Sequence, residues 1–319
     1  MTASHVVLTT YGEPPTPSLT DQLVYSWRIL LGLTRTVAPI PRPLIPLIAV
    51  ARARGRRRMW REWDYGSPLE RITRLQADAL GRSLNAMRPD VEWKTHVSFE
   101  FRRPFLGETL SSIPQGDPVT VVPMYAADSD FTHALSRSAL GAHLALHPRN
   151  APARVLDPVD PDELAQMSAT HVLESLKDAA AWRGADVALV LAAHGTLIAP
   201  SKPMQTGLAE TTRLCDALTR LLTPEFRTVR RGWLNHTRGG RWTEPAMPAA
   251  LGALAAEGVQ RVAYFPYGFL ADNAESQLEG RLFARDEPTL TTRFLPCLND
   301  SSCLADALAR MVLMNHLYP

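Results

Sequence analysis

The chain has 319 residues, 45% of them hydrophobic and 21% charged, a globular composition long enough for two domains or one large one. Lys plus Arg number 34 and Asp plus Glu 32, so there is no global basicity of the kind that marks a nucleic-acid binder, and no nucleic-acid partner is expected. Charge is uneven only locally, with six arginines between Arg52 and Arg61.

From the N-terminus, "MTASHVVLTTYGEP" has no basic start followed by a long apolar core, which predicts no signal peptide. No apolar run approaches the ~20 residues of a membrane span. "HVVLTTY" (5–11) reads as the first buried strand. Residues 37–60, "VAPIPRPLIPLIAVARARGRRRMW", interrupt an apolar run with four prolines, a density that resists a long regular helix. Two readings are open for this stretch. It is a surface connection with a solvated basic turn, or a greasy basic lip that touches anionic lipid or covers a flat ligand carrying carboxylates. "SPLERITRLQADALGRSLN" (67–85) has helical spacing, and "VTVVPMY" (119–125) reads as a strand. Helix (162–184), strand "DVALVLAAH" (186–194), helix (207–222) and strand "RVAYFPYGFL" (261–270) follow. "LADALARMVLMNHL" (304–317) is a closing amphipathic helix. "CLNDSSC" (297–303) lacks the spacing of a zinc knuckle, and Cys215 adds only a third thiol, so neither a disulfide scaffold nor an iron–sulfur cluster is expected. Three inert thiols suit a reduced, cytoplasmic compartment.

Strands alternating with helices predict an α/β fold with parallel sheets covered on both faces. The order repeats. A strand ends in "TTYGEP" (9–14) and again in "LAAHGT" (191–196), and a later strand in each half ends with a tyrosine and an aspartate soon after. This predicts two similar Rossmann-like halves with a cleft between them. The first spans residues 1–172 with its lip at about 37–60, the second 173–303, and the helix 304–319 packs back on the first half.

Ligands of open α/β sheets bind at the carboxyl ends of strands, where Tyr11, Tyr125 and His194 fall. A histidine there is either a structural residue or a site residue. Glu275 and Glu279 are four apart, one helix face, and form either a solvated face or a relay for protons or a divalent cation. Asp272 is placed to cap that helix. Trp233 and Trp242 are core residues or flat-ring platforms, and Arg52, Arg54 and Arg56 to Arg58 suit carboxylates or a membrane surface. No dinucleotide fingerprint, Walker A loop, GxSxG elbow or HExxH is present.

Several motifs, in order, resemble the ferrochelatase family: "YGSPLERITRLQADAL" (65–80) with Gln76, "VVPMYAADSDFT" (121–132) with Tyr125 and Ser129, "LAAHGT", "GWLNHTRGGRWTEP" (232–245) with Trp242, "FPYGFLADNAESQLEG", and "PCLND" (296–300). The resemblance covers nearly the whole chain and places the proline-rich stretch at the family's active-site lip. It implies a porphyrin cleft in which His194 faces the ring nitrogens, Glu275 is its partner, and Glu279 continues an acidic line for protons or metal. His194, Glu275 and Tyr11 are the implied metal contacts. Tyr11, Tyr125, Ser129, Arg52 and Trp242 are the implied ring contacts, and Tyr11 matches the coproporphyrin-using branch. Three positions depart from the pattern: Asn273 stands where a His is frequent, Phe283 where a third acid is frequent, and Glu100 where a Lys or Arg meets a propionate. Arg102, Arg103, His236 and Arg238 are the basic residues near enough to substitute.

The expected activity is insertion of Fe2+ into a porphyrin in haem biosynthesis, coproporphyrin III first and protoporphyrin IX second, with iron as substrate and no tightly bound cofactor. Two alternatives stand beside it: insertion of cobalt or nickel into another tetrapyrrole, and a non-catalytic haem or porphyrin binder. Porphyrin and ferrous iron are the expected partners, with peripheral membrane contact through the lip.

Overall fold

The computed structural model describes residues 3–36, 41–199, 203–235 and 241–317. It contains two four-stranded sheets in which every strand pairing is parallel. β1 (Ser4–Thr10), β2 (Trp93–Phe99), β3 (Val119–Pro123) and β4 (Ala153–Val155) lie in the order β2-β1-β3-β4. β5 (Gly184–His194), β6 (Phe226–Leu234), β7 (Arg261–Phe265) and β8 (Thr291–Phe294) lie in the order β6-β5-β7-β8. The same order appears twice, so the Tyr-Gly and His-Gly pairs both follow a central strand.

Side chains alternate across each sheet. Val6 and Leu8 of β1 and Leu189, Leu191 and Ala193 of β5 enter one continuous core that both sheets share. Val7 on one side, and Ala188, Val190 and Ala192 on the other, enter separate outer clusters. Burial on both faces explains why these strands read as nearly unbroken apolar runs. β2 and β6 do not read that way. Only their last residues are buried throughout, Val97 to Phe99 and Gly232 to Leu234, and their earlier residues carry surface charge.

Helices α3 (Leu69–Met87), α4 (Leu106–Ser111), α5 (His133–Leu146), α6 (Pro161–Ser175), α7 (Leu208–Leu222) and α8 (Met247–Ala256) cover the sheets. The α6 helix starts on Asp160, whose carboxylate accepts from the amides of Asp162 and Glu163, with Pro161 in the first turn. It stops at Ser175, earlier than its apolar spacing suggests, and a 3-10 turn at Ala180–Trp182 leads into β5. Helix α10 (Ser302–Leu317) packs on α3, where Ser83 Oγ donates to Asp306 Oδ1 at 2.7 Å. Gln76 of α3 also ties the halves, its amide donating to the carbonyls of Leu270 (2.9 Å) and Asn299 (3.0 Å).

The proline-rich stretch corrects the expectation of irregular chain. After a 3-10 turn at Arg42–Leu44 it forms an 18-residue helix, α2 (Ile45–Glu62), packed on α1 (Leu19–Thr36) around Leu30, Ile45 and Ala49. Pro46 sits in the first turn, where a missing N–H costs no hydrogen bond. No proline follows it before Glu62, and arginine is a good helix former. Residues 37–40 lie outside the described residues.

Candidate active site

Register brings the first wall together. Thr10 pairs with Phe99 and Thr9 with Pro123, so Tyr11, Glu100 and Tyr125 stand level just past the carboxyl ends of β1, β2 and β3. Glu100 N donates to Thr10 O and Phe101 N to Tyr11 O, both at 3.0 Å. Gly12 then turns the chain at φ +72°; a Cβ there would meet Phe99 Cβ at 2.8 Å. That turn sends Glu13 inward, and only 1% of its surface is exposed.

The second wall begins at His194, the last residue of β5. Gly195 follows, where a Cβ would collide with Asn235. The imidazole is 45% exposed, and its Nε2 lies 3.7 Å from Glu275 Oε2. Glu275 belongs to a π-helix, Ala274–Glu279, that runs into α9 (Gly280–Arg285). Single π turns are rare and concentrate at functional sites. Asn273 caps it: Oδ1 accepts from the amides of Glu275 (2.9 Å) and Ser276 (3.0 Å). Asp272 is therefore not the cap. Its carboxylate accepts instead from Cys297 N and Asn299 Nδ2, both at 2.9 Å. Asparagine at 273 thus has a structural task.

Glu13 joins the walls. Its Oε2 accepts from Ser67 Oγ (2.6 Å) and from Ala274 N (2.9 Å), and its Oε1 from Arg56 Nη2 (3.2 Å). Arg56 Nε donates to Gln22 Oε1 at 3.0 Å, and the guanidinium stacks over the rings of Tyr25 and Trp60, each 5.1 Å away. Trp60 in turn packs on Ala274 and Leu278, so α2 lies against the π-helix. Of these, Glu13, Gln22 and Tyr25 were not singled out from the sequence, while Arg56 was read as a contact for ring carboxylates or a membrane surface and meets a carboxylate of the chain itself. The Glu13 signal lay two positions after Tyr11, at a strand end already chosen as a site.

Burial, with Glu13 and Glu275 close by, raises the Tyr11 phenol well above its ordinary range, so it is neutral at physiological pH. Its hydroxyl is buried and finds no hydrogen-bond partner among the described residues. Burial and the neighbouring Glu275 push Glu279 up to about 8, against the pull of Arg56 and Arg52. Burial likewise pushes Glu100 up to about 8, opposed by the Tyr125 hydroxyl beside it. Two buried acids are thus mostly protonated at neutral pH.

The other anticipated residues fall as follows. Arg52 lies on α2 close to Glu279 and Tyr25. Tyr125 stands in the first wall, near Tyr11. Ser129 is buried with its hydroxyl engaged in a turn, 3.0 Å from Thr132 Oγ1 and accepting from Phe131 N at 3.2 Å. Trp242 bridges to Leu197 in the segment after His194. Phe283 packs into the outer core of the second sheet. Arg102 is engaged by Glu70 at 2.5 Å and Asp21 at 3.5 Å, and Arg103 by Glu108 at 2.8 Å. His236 and Arg238 lie outside the described residues. Cys215 and Cys297 are buried, Cys303 is exposed, and all three are free thiols.

Two parallel sheets of one strand order that share a core define a chelatase fold. CbiX, the terminal enzyme for biosynthesis of sirohaem in denitrifying bacteria, shares this fold with TM-score 0.53 at 15% identity, covering 98% of each chain. SirB from Bacillus subtilis with Fe3+ does so with TM-score 0.55 at 12% identity, covering 98% of this chain and 94% of that one. The ferrochelatase of Synechococcus sp. (strain JA-3-3Ab) is 27% identical over 326 residues, covering 98% of this chain and 93% of its own length. That of a Synechocystis species is 26% identical over 292 residues, covering 86% and 72%. The ferrochelatase family model matches residues 4–316, and the chain belongs to the ferrochelatase family, porphyrin metal chelatases of the lyase class.

Proposed function

We propose that this chain inserts ferrous iron into coproporphyrin III, with protoporphyrin IX as the second ring to compare. The observation that carries this reading is the imidazole of His194, 3.7 Å from the Glu275 carboxylate, at the meeting of a strand end and a π-helix. Insertion replaces two pyrrole protons by one divalent metal, so the site needs a base and an exit for protons and needs no electron transfer. A neutral imidazole takes a proton near pH 7, and a carboxylate beside it stabilises the imidazolium. Glu279, one turn on, passes the proton outward. Fe2+ accepts imidazole and carboxylate ligands, and this mixed set holds it weakly enough to release it to the ring. Tyr11 faces the ring as a neutral hydroxyl. Iron enters as substrate, and the scheme calls for no resident cofactor and no iron–sulfur cluster.

Tyr11 favours coproporphyrin through its likeness to that branch of the family. Tyr125, Arg52, Trp242 and Ser129 complete the ring contacts, while Glu100, neutral near pH 7, replaces a cation there and asks less of a ring carboxylate. The test is anaerobic Fe2+ insertion followed by absorbance, with both rings side by side. Loss of turnover in His194→Ala, with circular dichroism unchanged, is expected. Turnover of that variant at the wild-type rate would remove His194 from the mechanism. Insertion of cobalt or nickel alone, or haem binding without insertion, would favour the alternatives.

The lip supports a peripheral membrane contact of a cytoplasmic protein. Leu44, Leu47 and Ile48 are exposed, Leu47 at 69%, as are Trp27 and Leu31 of α1, which line one groove with Pro46 and Val50, and the arginines of α2 follow on the same helix. Among the described residues no helix is long and apolar enough to cross a membrane. Co-sedimentation with anionic liposomes should fall when Arg57 and Arg58 are replaced by Gln. Equal binding would exclude the electrostatic contact.

A further inference from the structure

A helix leaves its first amides without partners in the helix itself, and they must find acceptors elsewhere. Asn273 serves two of them in the π-helix, its side chain taking Glu275 N and Ser276 N, while its carbonyl makes the first helical bond with Gln277 N at 3.0 Å. The amide it cannot serve is that of Ala274, directly before Glu275. That N–H is buried and donates to Glu13, 261 positions earlier in the chain. A carboxylate is the favoured group at a helix N-terminus, where the peptide dipoles present partial positive charge.

A buried carboxylate needs further partners, because an uncompensated buried charge is costly. Glu13 has them in Ser67 at the entrance to α3 and Arg56 in the middle of α2. Ser67 also accepts from Leu69 N at 3.3 Å, so its hydroxyl starts α3 while it holds Glu13. Arg56 is held on every side by Glu13, Gln22, Tyr25 and Trp60, and lies close to Glu279. Five segments meet at this node: the turn after β1, helices α1 and α2, the start of α3, and the π-helix that carries Glu275 and Glu279. The proposed chemistry touches neither Glu13 nor Arg56.

We infer that Glu13 and Arg56 are positioning residues for metal insertion: Glu13 fixes the first residue of the π-helix, and so the Glu275 carboxylate opposite His194, and Arg56 fastens the lip helix to that same point. The inference rests on the functional reading above for its effect on turnover and on the hydrogen bonds alone for its effect on the helix. Small displacements of a reacting group cost large factors in rate, up to about a hundred-fold for an ångström.

Two readouts test it in the full chain. In the first, amide exchange is followed by mass spectrometry without substrate. Glu13→Ala should speed exchange in peptides spanning 274–279 and leave those of α7 unchanged. Unchanged exchange over 274–279 would overturn the inference whatever the turnover. In the second, metal insertion is measured. Glu13→Ala should lower kcat about ten-fold or more with porphyrin KM within about three-fold of wild type. Glu13→Gln should recover much of the loss, because an amide oxygen still accepts from Ala274 N. Arg56→Lys should lie between wild type and Glu13→Ala, since an ammonium lacks the fork that serves Glu13 and Gln22 together. A merely structural role would lower the melting temperature and leave kcat per folded molecule unchanged, and that result would overturn it too. Should Glu13→Ala fail to fold, Glu13→Gln and Arg56→Lys carry both readouts. Should the wild-type chain insert no metal into any ring, the functional reading falls and the exchange readout still decides the positioning.

Discussion

Asn273 illustrates what one residue can reveal and conceal. A histidine is frequent there in the resemblance, so on sequence the asparagine reads as a lost functional group. In the fold it is 1% exposed and caps the π-helix through its side-chain oxygen, which no histidine reproduces in the same way. Replacing a cap residue by Ala costs about 1 kcal/mol. Asn273→Ala should therefore lower the denaturation midpoint by a corresponding amount, and Asn273→Ser, which keeps an acceptor oxygen for the helix amides without setting a carboxylate against Ala271 O, should lower it less. Equal losses in both would show that the cap contributes nothing. The placing of Tyr11, His194 and Glu275 was legible in the sequence because each stands next to a strong local signal, a strand end before a glycine or a helix opening after a turn. The Glu13–Arg56 node was not. That pair spans 43 positions and the bond from Ala274 to Glu13 spans 261, and no local pattern carries that information.

At the scale of elements, legibility followed how far burial is uniform along the segment. β1, β3, β5 and β7 are buried on both faces and stood out. β2 and β6 are interrupted by half-buried and exposed, mostly polar residues, Lys94 to His96 and Arg227 to Arg231, and did not. For α2 the composition misled: prolines announce a break, yet proline in a first turn opens a helix. The helix is held by its inner face. Trp60 is fully buried and packs on Ala274 and Leu278 across the cleft wall, while Leu47 one side away is exposed. Truncating a buried aromatic costs about 3–5 kcal/mol. Trp60→Ala should cost that much in chemical denaturation if α2 is part of the cooperative fold. A loss below about 1 kcal/mol, with faster proteolysis confined to residues 41–62, would instead make α2 an independently opening flap.

On the scale of the whole molecule, two sets of buried groups respond to pH in opposite senses. Around the cleft, burial pushes Glu279 and Glu100 up to about 8. Unfolding returns them to an ordinary value near ~4.3, so the folded state binds more protons between those limits and stability falls as pH rises from about 4 to 8. At the amino end of the first sheet, His5 Nδ1 lies 2.8 Å from His96 Nε2, and His5 Nε2 lies 3.1 Å from Asp117 Oδ2. Burial, and then His5, lower His96 below its ordinary value, and burial lowers His133, at the start of α5 beside Tyr125, to about 4. For these the folded state binds fewer protons than the unfolded one, so their contribution is complete above about 6.5 and is lost as pH falls below it. The ranges overlap, so the slopes oppose each other between about 4 and 6.5 and the carboxyl groups alone lower stability from there to about 8; single substitutions separate the two sets. Glu279→Gln, neutral at every pH, should raise the melting temperature relative to wild type at pH 8 more than at pH 5. His96→Gln, which keeps a hydrogen-bond partner for His5, should raise it relative to wild type at pH 5 more than at pH 8. If both variants shift the melting temperature by the same amount at the two pH values, neither group titrates on unfolding and the opposition between the two sets is wrong.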